Sequence, residues 1–199
     1  MQNISFTSKI NFVPEQKFLK VKCSGLRKYL GTSDHATTNS NLWTDQVCSC
    51  TALFLVSMDK VVNGFHFLSS TKRASKRLET ILNKQLGKNE VDKGLIIGAR
   101  KFGHKFSLEV FERVSGNVEK RSSDVSVFKN QVADGWTDIH YSPSKDTYTI
   151  FSESLALGPV ESVDNLKHLY REISIAPNDE LYINCRHMSK KKYPELFRY

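Results

Sequence analysis

A chain of 199 residues with 39% hydrophobic residues and a mean hydropathy of −0.41 has the apolar material for one well-packed domain and too little length for two. Its longest apolar run, residues 52–56, falls far short of the ~20 residues that cross a bilayer, so no membrane association is expected. The formal charge of +8 asks for an anionic partner, yet no aromatic residues are interleaved with the two basic clusters, Lys72, Arg73, Lys76 and Arg77 and then Lys190, Lys191 and Lys192. This argues against a single-strand nucleic-acid binder and for a solvated surface or an acidic protein partner.

Met1-Gln2-Asn3-Ile4-Ser5-Phe6 lacks the basic segment and apolar stretch of a secretory leader. The expected location is the cytoplasm, or a host cell reached through a dedicated secretion apparatus. Four cysteines, Cys23, Cys48, Cys50 and Cys185, are too few for a disulfide framework in a chain of this size, and a reducing compartment follows.

Residues 1–15 are polar, end at Val13-Pro14, and read as an N-terminal arm; residues 16–23 read as a first strand. Residues 24–41, with Gly25, Gly31 and a run of Ser, Thr, Asp and Asn, have loop composition. Residues 42–49 and 51–56 read as strands, and 61–68 as the partner of the second. Over residues 70–86, Ala74, Leu78, Ile81, Leu82 and Leu86 repeat at helical spacing, and Gly87 follows as a stop. Residues 94–100 read as a strand, and 106–114 suit a strand or a helix. Residues 125–128, 136–141 and 146–151 read as three more strands, 160–173 as a second helix, 181–185 as a last strand and 189–199 as a basic tail. The sum is a single α+β domain over residues 1–199, mostly antiparallel sheet layers with two main helices packed on the outside.

The stretch with chemistry in it is Thr44-Asp45-Gln46-Val47-Cys48-Ser49-Cys50-Thr51-Ala52, a turn, and then Asn63-Gly64-Phe65-His66-Phe67-Leu68. A thiol at the mouth of one strand and an imidazole on the next are the minimum equipment of a cysteine nucleophile and its base. Asn63-Gly64 is a strong hairpin turn signal, but a reversal near Met58-Asp59 keeps residues 61–68 in one strand, with Gly64 allowing close backbone approach. A reversal centred on Met58 sets position 50 opposite position 66, with Cβ atoms roughly 4.5–5.5 Å apart. Cys48 shares a strand face with Cys50 and is the rival thiol, and Asp45 is a second candidate for orienting the imidazole.

Ser49-Cys50-Thr51-Ala52, the apolar strand, the Asp59 turn and Asn63 to Leu68 together resemble the catalytic hairpin of the bacterial chemoreceptor glutamine deamidases of the CheD family. Behind these stands the wider class of cytotoxic-necrotizing-factor-like deamidases and the amidases for amino-terminal asparagine. The resemblance covers about residues 40 to 103 and includes the amphipathic helix followed by Leu95-Ile96-Ile97-Gly98-Ala99. It implies Cys50 as nucleophile, His66 as base and Thr44, six residues before the cysteine, as the residue that completes the site. The chain departs from the family where Cys48 replaces a glycine, and no CheD pattern continues beyond Phe102.

The expected activity is protein glutamine deamidation through a Cys50 thioester, on a target protein presenting an accessible glutamine, with no metal or organic cofactor. An exported bacterial effector acting on a host protein is one setting, and a CheD-type enzyme acting on chemoreceptors is another. Capture of the thioester by an amine would make the same site a transglutaminase. Two readings of other classes remain. Cys48, Cys50, Cys185 and His187 form a legal tetrahedral ligand set for structural zinc, and the basic face would serve a binding module without chemistry. Asp138 and His140 alternate on one strand and could border a site.

Overall fold

Ile10 and Phe12 alternate with Lys9 and Asn11, the pattern of a strand with one face buried, and in the computed structural model Lys9–Phe12 forms β1. The structure describes residues 8–24, 27–68, 80, 82–84, 91–98, 107–130, 135–153, 166 and 170–197. The further strands are β2 (Arg27–Tyr29), β3 (His35–Thr38), β4 (Asn41–Val47), β5 (Thr51–Val56), β6 (Val62–Phe67), β7 (Lys93–Gly98), β8 (Val125–Asn130), β9 (Thr137–Ser142), β10 (Thr147–Ser152), β11 (Tyr170–Ser174), β12 (Glu180–Ile183) and β13 (Arg186–Met188). Two α-helices, α1 (Glu15–Lys22) and α2 (Ser107–Glu119), and a 3-10 turn, Pro194–Leu196, lie wholly among the described residues.

The strands form a seven-stranded sheet in the order β13-β12-β1-β10-β9-β4-β2 and a six-stranded sheet in the order β11-β8-β7-β5-β6-β3. Most pairings are antiparallel; β1 with β10, β1 with β12, β2 with β4 and β7 with β8 are parallel. The fold is α+β, as expected.

The two sheets face one another across the main core. Ile10, Phe12, Leu42, Ile139, Tyr141, Tyr148 and Ile150 come from the first sheet, and Ala52, Phe54, Val56, Val62, Leu95, Ile97 and Phe128 from the second. The outer face of the second sheet, with Leu53, Leu55, Phe65 and Ile96, is covered by Val110, Phe111, Val114 and Val118 of α2. β5 is therefore buried on both faces, which is why Thr51–Val56 reads as a continuous apolar run. On the outer face of the first sheet, Phe18 of α1 packs on Val13 and Phe151. The order of layers is helix, sheet, sheet, helix.

Several expectations are corrected. Residues 9–15 are no arm, since β1 lies between two strands in the interior of a sheet. Residues 16–23 are helical rather than a strand: Glu, Gln, Lys and Leu are good helix formers, Pro14 and Glu15 suit the start and Lys20 and Lys22 the last turn. The segment 24–41 holds β2 and β3 and is not all loop. Residues 106–114 resolve to the helix, because Val110, Phe111, Val114 and Val118 share a buried face while Leu108 is exposed. Tyr170–Ser174 is a strand, so a helix through residue 173 is excluded; within residues 160–169 only Leu166 is described, and it is helical. The helix at 70–86 lies largely outside the described residues, with Thr80 and Leu82, Asn83 and Lys84 helical. The segment 189–199 is no free tail: Leu196 and Phe197 join the main core, and the Ile175 N–H donates to the Leu196 carbonyl at 2.7 Å.

Candidate active site

Two features of the fold build the site. The connection Cys48-Ser49-Cys50 carries the chain from the end of β4 in one sheet to the start of β5 in the other, at the rim of the space between them. Across that space, β4 and β6 approach closely because β6 carries a glycine. A Cβ on Gly64 would lie 2.3 Å from Leu42 Cδ2 and 3.2 Å from Leu30 Cδ2. Two residues further along each strand, on the same faces, stand Thr44 and His66.

Thr44 and His66 are 0% and 1% exposed, and Thr44 Oγ1 lies 2.8 Å from His66 Nδ1. The same hydroxyl lies 2.7 Å from the Leu30 carbonyl oxygen, which can only accept. A hydroxyl has one proton to give. Thr44 therefore donates to Leu30 and accepts from the ring, so Nδ1 carries the hydrogen and Nε2 holds the lone pair. His66 Nε2 is buried and has no hydrogen-bond partner among the described residues. Burial holds the ring below its ordinary pKa, opposed by the carboxylates of Asp45 and Asp34, so at neutral pH it is an uncharged base. Its backbone is fixed by two hydrogen bonds to the preceding segment, His66 N–H to Asp34 O at 3.1 Å and Ser33 N–H to His66 O at 2.8 Å.

The hairpin reverses over residues 57–61, with Lys60 at φ 63° and the Lys60 N–H bonded to Ser57 O at 2.9 Å. Its register differs from expectation: His66 faces Ala52, not position 50. The turn is centred on Asp59 instead of Met58, which moves the pairing by one step along each strand. Cys50, one residue ahead of β5, is the diagonal neighbour of His66, a relation spanning about 7–8 Å with Cβ atoms somewhat closer. The two share a sheet face, since Cys50 belongs to the same core as Ala52 and Phe54. Cys50 keeps 7% of its surface exposed where Ala52 keeps none, which puts the cysteine at the rim of the core.

The remaining candidates sit elsewhere. Asp45 points to the outer face of β4, where its carboxylate accepts from Tyr29 at 3.0 Å and pairs with Lys22 at 3.5 Å, so it does not hold the imidazole. Between Thr44 and Val47 the ladder of β4 carries a bulge, with Gln46 at φ 55° and its N–H bonded to Asp138 Oδ1 at 3.0 Å. The extra residue returns Val47 to the buried face and leads the chain toward the crossing at Cys48. Asp138 and His140 face outward, opposite the core residues Ile139 and Tyr141, and do not border the site. Burial, with the charges of Arg27 and Lys145, pushes the His140 ring down to about 4.

The zinc set is broken by the topology. Cys185 lies in the turn between β12 and β13, and β1, β10 and β9 separate β12 from β4 and Cys48, a lateral distance on the order of 19 Å at ~4.8 Å per strand. Those four residues cannot share one ion.

Further residues shape the site, two of which, Leu30 and Ser107, the sequence did not single out. The Leu30 carbonyl sets the direction of the Thr44 hydroxyl from within a segment read as loop. Ser107, the first residue of α2 and 0% exposed, donates to the Ser49 carbonyl at 2.7 Å. A Cβ on Gly98 would lie 2.7 Å from the Cys50 carbonyl oxygen and 2.9 Å from Thr51 Cα. No spacing in the sequence connects Leu30, Gly98 or Ser107 to Cys50.

No family model matches the chain, and no curated protein matches it in sequence.

Proposed function

We propose that the protein is a cysteine-dependent amide hydrolase that converts a glutamine side chain of a target protein to glutamate, with Cys50 as nucleophile, His66 as base and Thr44 as the residue orienting the ring. The observation that carries this reading is the buried Leu30–Thr44–His66 relay, which leaves an unprotonated, unpartnered Nε2 on the sheet face shared with Cys50.

In the reaction, His66 Nε2 takes the Cys50 thiol proton as the sulfur attacks the carboxamide carbon. Backbone N–H groups near Ser49 and Cys50 stabilise the developing oxyanion. The imidazolium gives its proton to the departing ammonia, leaving a thioester; it then draws a proton from water, whose oxygen displaces the thiolate as glutamate forms. Nothing in these steps calls for a cofactor. Ammonia release from a glutamine peptide, with the matching mass change in the product, tests the reading. Cys50→Ala and His66→Ala should abolish release in protein that still folds, and Cys48→Ser should retain it. Full activity in the Cys50 variant refutes the assignment.

A further inference from the structure

The Ser49–Cys50 peptide is gripped from the side of the second sheet that faces away from His66. The chain has no cis peptide among its described residues, so the Ser49 carbonyl and the Cys50 N–H point in opposite directions from one rigid plane. Ser107 donates its hydroxyl to that carbonyl at 2.7 Å from a fully buried position. Below the next peptide, Gly98 of β7 lets the strands close to a distance that no side chain would permit. β5 begins at the following residue, with Thr51 paired to Gly98, so the ladder holds the chain on one side of Cys50 and Ser107 holds it on the other.

We propose that Ser107 is a positioning residue for the Cys50 nucleophile, with Gly98 as its counterpart. By fixing the carbonyl of residue 49, the hydroxyl fixes the plane from which the Cys50 Cα departs. It thereby sets the direction of the Sγ toward the His66 ring and that of the Cys50 N–H. The diagonal relation of Cys50 and His66 gives this control its importance: the direction of the Cys50 side chain follows from the plane of the peptide before it, and Ser107 holds that plane. The inference rests on the reading of Cys50 as nucleophile, and the experiment separates the two.

The test is the rate of Cys50 alkylation by iodoacetamide, followed by mass spectrometry of the Cys50 peptide across a pH series, in the wild type, His66→Ala, Ser107→Ala, Ser107→Thr and Gly98→Ala. The expected result is a wild-type rate that depends on His66, a Ser107→Ala rate reduced about tenfold toward that of His66→Ala, and recovery in Ser107→Thr, which keeps the hydroxyl. On a glutamine peptide, Ser107→Ala should lower kcat and leave KM in place, which a general loss of structure would not do. Should Ser107→Ala fail to fold, Gly98→Ala carries the test, since its Cβ displaces the same backbone while Ser107 stays, and it must show the same loss. Equal alkylation in the wild type and His66→Ala overturns the nucleophile reading and this inference together. A His66-dependent rate left unchanged by Ser107→Ala or Gly98→Ala overturns the inference alone.

Discussion

Replacing Thr44 by valine keeps the shape of the side chain and removes the hydroxyl on which the relay turns. Two buried groups then lose their partner at once, the Leu30 carbonyl and the His66 Nδ1–H. An orphaned buried polar group costs about 1–3 kcal/mol, so a loss of about 2 kcal/mol is the low estimate for the pair. For a chain of this size that lowers the thermal midpoint by roughly 4–8 °C. The catalytic consequence is separate. The Thr44 oxygen stabilises the Nδ1–H form by one hydrogen bond, about 1–1.5 kcal/mol, so its removal costs roughly tenfold in the population of the competent tautomer. Loss of general-base action altogether would cost on the order of 10²–10⁴. Thr44→Val should thus fall between about tenfold and a hundredfold below wild type in kcat, with KM little changed. Nitrogen NMR of the ring checks the cause without any substrate: wild-type His66 should show a protonated Nδ1 and an unprotonated Nε2, and the variant a mixture. A wild-type ring protonated at Nε2, or a variant with unchanged midpoint and ring signals, would refute the relay.

Gly64→Ala should destabilise the fold by about 1–3 kcal/mol, because its Cβ would sit 2.3 Å from Leu42 Cδ2, and should weaken the Thr44–His66 bond by forcing β4 from β6; urea unfolding and the same ring NMR read both effects. Activity should persist as pH falls past 6.5, because burial lowers the His66 pKa and the base is lost only when the ring itself protonates. Asp34→Asn removes a carboxylate that holds this pKa up, so its acid limb in a kcat/KM profile should move to still lower pH. Asp179, 1% exposed, accepts from the Ser8 N–H at 3.1 Å and the Ser126 hydroxyl at 2.7 Å, and burial raises its carboxyl from 3.8 to about 7. The folded state thus holds its proton where the unfolded chain has released it, and stability falls as pH rises through that window. Urea unfolding at about pH 5 and about pH 8 should show a drop that Asp179→Asn lacks.

Much of this protein is written in local pattern. The apolar runs of β5 and β7 and the apolar content of β9 and β10 depend on neighbouring residues alone, which is why these strands can be read from composition and period, while residues 106–114 suited either element until their packing on the second sheet made them helical. The placement of Thr44, Cys50 and His66 near one another is readable to the same degree, because a single hairpin and the strand before it bring them together. Where the sequence misleads, the deciding contacts are distant. Residues 9–12 become an interior strand only because β10 and β12, more than 130 residues later, supply partners on both sides. Residues 15–22 carry helix-forming composition, and Phe18 seats the helix on the sheet by packing on Phe151. The hairpin register turned on the position of the turn, centred on Asp59 and not Met58, a move that residue types do not encode but that shifts every facing pair by two residues. Likewise, the proton on His66 is assigned by a carbonyl at position 30, and the carbonyl before Cys50 is held by a hydroxyl at position 107. The sequence by itself determined which side chains with chemistry stand within one hairpin of each other. Only the packing of two sheets and a helix decided which atoms face, because hydrogen-bond direction and backbone pinning arise between segments that share no sequence neighbourhood.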